Sequence, residues 1–136
     1  MNAKPAAPRV PAPTMPSVRI AAAEGLNYLV AALGTDDEHA NLPMLVAIHG
    51  LGYVPRFPEP EMTALGLPVR IVVLRGPETH KHGYGWYGVH VKEGRDAALA
   101  AALRERAAWI ALALQRLQAR YPTLGRPVVL GFSQGG

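Results

Sequence analysis

The chain contains no cysteine. Its absence excludes disulfides, a thiol nucleophile and thiolate metal sites, and leaves the compartment undecided. Long apolar runs are missing too. The longest uninterrupted stretches are a few residues, far short of a membrane span. The N-terminus has no apolar core of a secretory signal, so a cytoplasmic location is the expectation, with a processed export segment ahead of it as the alternative. No internal repeat is found. Acidic residues are few, 10 against 14 basic ones, for a net charge of +4. The basic residues do not cluster: Arg104, Arg106, Arg116 and Arg120 spread along one expected helix. A nucleic-acid surface needs its charge gathered on one face, so no nucleic-acid partner is expected. What is present is a chain of 136 residues, 49% hydrophobic, enough for one domain with a real core.

Residues 1–16 are crowded with Pro and Ala, a composition that favours extended polyproline and reads as a disordered leader. The domain is expected over 17–136. Ser17 to Ala23 and Leu26 to Leu33 flank Glu24-Gly25 and read as a β-hairpin. Pro43 to Ile48 is an apolar run without alternation, as in strands buried on both faces, and Val69 to Leu74 reads as another buried-type strand. Glu61 to Leu65 reads as a short helix, and residues 78–92 as a loop. Arg95 to Tyr121 is the long helix, with Leu99, Leu103, Ala107, Ile110, Leu114, Leu117 and Tyr121 as its apolar stripe. Val128 to Leu130 is the next strand. Strands alternating with helices indicate an α/β protein with a mostly parallel sheet.

Two glycine-rich turns carry the chemistry. Gly131-Phe132-Ser133-Gln134-Gly135-Gly136 follows the last strand and has the G-x-S-x-G pattern of a nucleophile elbow. Such a turn lifts the Ser133 hydroxyl out of the backbone, and Gly131 and Gly135 give it room. His49-Gly50-Leu51-Gly52 follows the strand ending at Ile48. A glycine-rich turn there can offer a backbone N–H to an oxyanion. Leu51 N–H and Gln134 N–H are the expected pair of donors. His49, Gly50 and Gly52 support one turn, Gly131 and Gly135 the other.

Together these motifs resemble the phospholipase/carboxylesterase family of α/β-hydrolases, which includes acyl-protein thioesterase types. Arg75-Gly76-Pro77 followed by Gly83-Tyr84-Gly85-Trp86-Tyr87 is similar to a loop of that family. The resemblance spans about residues 43–136 and implies cofactor-free hydrolysis of a small ester or thioester. It implies an α/β-hydrolase fold, truncated here after the nucleophile strand. The family's Asp and His follow the elbow, so both are expected from sequence after Gly136. The alternative is a non-catalytic fragment, or a split half that needs a second chain.

Other polar groups are weaker candidates. His49 is expected to brace its turn through ring hydrogen bonds and not to act as base. His80, His82 and His90 suggest a metal only if a strand aligns the first two, and no metal is expected. Trp86, Tyr84 and Tyr87 are candidates for an acyl pocket, with packing of the loop onto the sheet as the other reading of Trp86. Trp109 is expected to pack. Asp36, Asp37 and Glu38 lack a partner that would make them catalytic.

Overall fold

A computed structural model describes residues 19–23, 25–56, 66–88 and 95–136. The expected leader and the expected helix at 61–65 lie outside these residues, as does His90. Five strands form the main sheet: β1 (Arg19–Ala23), β2 (Leu26–Leu33), β3 (Met44–Ile48), β4 (Val69–Leu74) and β7 (Val128–Gly131). Their order is β1-β2-β4-β3-β7. β1 and β2 pair antiparallel around left-handed Gly25, as the hairpin reading expects. β2 also runs antiparallel to β4. β3 is parallel to both β4 and β7. Four of the five strands therefore share one direction, and β2 alone is reversed. The domain is a mixed α/β unit with a largely parallel sheet.

The pleat sorts side chains into two cores. Leu26, Tyr28, Val30, Met44, Val46, Ile48, Val72 and Leu74 meet Ala113 and Leu117 of the long helix α1 (Asp96–Arg120). Val69, Ile71 and Val73 form a second cluster on the other face with Leu29, Leu33, Leu45 and Ala47. β4 is buried along its whole length, as its largely apolar sequence predicts, and this burial includes Arg70. β3 alternates between buried and half-buried positions instead.

The stripe expected on α1 holds only in its C-terminal half. Ala113 and Leu117 are buried and Ile110 and Leu114 pack against the core, but Leu103 is exposed. Toward the N-terminus the inward face shifts to Arg106 and Trp109. Arg106 reaches Glu78 at 3.5 Å, and Trp109 packs on Trp86 with ring centroids 6.2 Å apart. A loop from the sheet fills that space, so aromatic and guanidinium surfaces replace aliphatic ones. Tyr121 N–H bonds Leu117 O at the helix end, and Pro122 stops the helix.

One buried charge sits near the start of a largely apolar strand. Arg70 donates to the carbonyls of Pro122, Glu38 and Ala40 at 2.7, 2.7 and 3.1 Å, and its guanidinium lies 5.0 Å from the Tyr121 ring centre. Carbonyl dipoles and an aromatic face take the place of a carboxylate. This brace fastens the amino-terminal end of β4. The opposite end of the sheet carries the glycine turns.

Candidate functional site

Parallel pairing brings three carboxyl ends together. Ile48 stands beside Leu74 on one side and Gly131 on the other. The segments that follow, 49–53, 75–88 and 132–136, gather there. In open α/β sheets, ligands bind in the crevice outside these strand ends.

The elbow has an unusual backbone. Ser133 has φ of 54°, one of two non-glycine residues with positive φ among the described residues. For an L-residue with a Cβ this conformation costs about 1–2 kcal/mol. The surroundings impose it. Phe132 N–H bonds Ile48 O, and Gly135 N–H bonds Phe132 O, closing a 3-10 turn over Ser133–Gly135. A Cβ on Gly131 would lie 2.2 Å from Gly135 O, and one on Gly135 would lie 2.4 Å from Ile48 O. Only glycine fits at either place. Ser133 is exposed, and among the described residues its hydroxyl has no hydrogen-bond partner.

The second turn abuts the first. A Cβ on Gly50 would be 3.3 Å from Ser133 Cβ and 3.3 Å from Phe132 Cδ1. A side chain at Gly50 would thus crowd the elbow. The positive φ in this turn belongs to Gly52, at 76°. Leu51 lies between them with an exposed side chain. Among the described residues, neither Leu51 N–H nor Gln134 N–H has an acceptor.

His49 is fully engaged, as its expected bracing role requires. Gly76 N–H donates to Nε2 at 2.9 Å, so the ring proton sits on Nδ1 and is donated to Gly50 O at 2.6 Å. The ring lies between Tyr53 and Trp86, with centroids 5.6 and 5.0 Å away. Trp86 Nε1 donates to His49 O at 2.7 Å. Trp86 is only 1% exposed, so of its two expected roles packing is the one seen. Tyr84 is half-buried with the Arg75 guanidinium 4.6 Å from its ring centre. Tyr87 packs against the core on the α1 side.

The loop expected at 78–92 hides a feature that sequence reading missed. β5 (Glu78–His80) and β6 (Gly83–Gly85) form a small hairpin around Lys81-His82, with left-handed Lys81. Strands of three residues are too short to show a period. β6 then grips the glycine turn: Gly52 N–H bonds Tyr84 O, and Tyr84 N–H bonds Tyr53 O. His80 ends β5 while His82 lies in the turn, so they do not share a strand face. Among the described residues no group of three or more His, Asp or Glu side chains could hold a metal.

A cleft of about 620 Å³ opens at this end of the sheet, with Ile48, His49, Gly50, Tyr53, Leu130 and Phe132 among its walls. Trp86 and Tyr84 are not part of these walls. Most of the lining is apolar, and Arg56 adds a cationic group. No described helix is long and apolar enough to cross a membrane.

Burial lowers the His49 pKa from its ordinary value, because the charged ring loses water; the bond to Gly50 O opposes this more weakly. A depressed histidine binds its proton more readily when unfolded. The stability it supports is therefore complete above about pH 6.5 and falls as pH drops below it, by at most about 1.4 kcal/mol per pH unit. Protonation of Nε2 also ends the Gly76 bond. The Gly76 amide is expected to lose exchange protection as pH falls below about 6.5, measured as a protection factor by NMR. Unchanged protection over that range would contradict the assigned tautomer and its bond.

Comparison with known proteins returned no match to a family model, a curated protein or a solved structure.

Proposed function

We propose that these residues are the nucleophile and oxyanion half of a serine hydrolase with the α/β-hydrolase fold, of carboxylesterase or thioesterase type. The observation that carries the reading is the strained, exposed Ser133 at a parallel strand's carboxyl end, packed against Gly50 with two unengaged N–H groups nearby. The resemblance to the phospholipase/carboxylesterase family points the same way. In the proposed reaction a base takes the Ser133 proton and Oγ attacks the ester carbonyl. Leu51 N–H and Gln134 N–H hold the resulting oxyanion. Collapse expels the alcohol or thiol, which takes the proton back from the base, and leaves an acyl-Ser133 that water cleaves. Losing one oxyanion donor in such a site costs about 3–4 kcal/mol of transition-state stabilisation.

Among the described residues His49 does not serve as that base, since both ring nitrogens are bonded. The base and its orienting acid are proposed to come from outside residues 1–136, from the same or a second polypeptide. No metal or organic cofactor enters this scheme. The test is labelling of the native polypeptide by a fluorophosphonate. Ser133 is expected to take the label, Ser133→Ala is not, and a chelator should leave the reaction unchanged. Equal labelling of wild type and Ser133→Ala would overturn the assignment. Loss of labelling on chelation, restored by zinc, would favour a metal-dependent site.

A further inference from the structure

Gln134 does more than contribute a backbone N–H to the elbow. Its side-chain Oε1 accepts from Trp86 N–H at 2.9 Å, and its Nε2 donates to Tyr87 O at 3.0 Å. One amide group thus satisfies two successive backbone groups of a different segment, 47 and 48 positions away. That segment is the continuation of β6. At its other edge β6 holds the Leu51 turn through the paired bonds Gly52 N–H to Tyr84 O and Tyr84 N–H to Tyr53 O.

Gly85 is where these connections converge. A Cβ built there would meet Leu51 Cδ1 at 2.7 Å and Gln134 Oε1 at 3.1 Å. The side chains of both proposed oxyanion donors therefore rest over one glycine. Trp86 completes the frame, with its backbone N–H on Gln134 and its indole N–H on His49 O. β6 and its continuation bridge the two turns that must stay in register. The elbow is tied to β3 by backbone contacts such as Phe132 N–H to Ile48 O.

We infer that the Gln134 carboxamide is a positioning residue, which fixes the elbow against β6 and so sets the separation of Leu51 N–H from Gln134 N–H. It touches no reacting atom. The inference rests on the serine-hydrolase reading, because the separation matters only if an oxyanion forms there. A misplacement of about 1 Å in such a site can cost about 100-fold in rate.

The experiment is saturation kinetics of fluorophosphonate labelling on the native polypeptide, for wild type, Gln134→Met and Gln134→Glu, with amide exchange of Trp86 measured on the same samples. Methionine preserves the backbone N–H and removes both side-chain bonds. Glutamate retains the acceptor for Trp86 N–H and loses the donor to Tyr87 O. Gln134→Met is expected to lower the maximal labelling rate about 10- to 100-fold, leave the half-saturating concentration within about twofold, and speed Trp86 exchange. Gln134→Glu is expected to fall between it and wild type. A general loss of packing would instead shift both kinetic constants and speed exchange at core amides such as Val46 and Val72, and that pattern would overturn the inference. So would wild-type labelling rates in Gln134→Met. A wild type that does not label at all would remove the hydrolase reading and this inference with it, and the wild-type sample alone reveals that case.

Discussion

Residues 1–136 purified alone are expected to hydrolyse p-nitrophenyl esters no faster than the same chain carrying Ser133→Ala. A serine hydroxyl is a weak nucleophile until a base removes its proton. His49, at the site, does not offer one, because Gly76 and Gly50 engage both its ring nitrogens. Removing the base from a working triad lowers turnover by roughly 10⁶-fold, with about 10³-fold over water persisting from the oxyanion site and binding. The same preparation is expected to associate. β7 pairs with β3 on one side and with no described strand on the other. Its Val128 and Leu130 are 58% and 51% exposed, and the adjacent Phe132 is 76% exposed. An apolar strand with an unpaired edge is a template for further pairing. Light scattering and sedimentation check this half; a monomer with cooperative unfolding would contradict it. Steady turnover that depends on Ser133 would contradict the catalytic half and demand an unforeseen base.

Gly135→Ala is expected to cost the native polypeptide roughly 3 kcal/mol and to abolish Ser133 labelling. The added Cβ would enter the backbone at the end of β3, 2.4 Å from Ile48 O and 2.6 Å from the O of the following His49. Neither carbonyl can retreat without unseating His49 or breaking the bond from Phe132 N–H to Ile48 O. Gly125→Ala is the matched control. Gly125 has a positive φ, at 69°, which Gly135 does not, and nothing stands within 4 Å of a Cβ there. Only the backbone penalty applies, about 1 kcal/mol. Urea unfolding of both variants separates crowding from φ preference. Equal losses would mean that the close approach at Gly135 carries no weight.

Much of this arrangement was legible in the residues. The largely apolar segment Val69–Leu74 announces a buried strand, and β4 is one. Gly25 between two apolar runs announces the first hairpin. Glycines two before and two after Ser133 announce the tight turn, and their contact distances supply the reason. Other features follow from tertiary contacts that no local pattern encodes. The inward turn of Arg106 and Trp109 depends on Glu78 and Trp86, which arrive from a distant loop. The burial of Arg70 inside β4 depends on three carbonyls from two other segments. Gly50 and Gly52 look interchangeable in sequence. One is crowded by a neighbour and the other is held to glycine by its own φ. The role of the Gln134 side chain depends on β6, whose three residues are too few to signal a strand.

The central claim is that Ser133 becomes acylated. It is tested most directly by peptide mass spectrometry of the native polypeptide quenched in acid during turnover of a p-nitrophenyl ester. The expected result is an acyl adduct on the peptide containing Ser133, appearing before steady state, disappearing as substrate is exhausted, and absent in Ser133→Ala. Ester hydrolysis by wild type with Ser133 unmodified throughout, or at the same rate in Ser133→Ala, would contradict it.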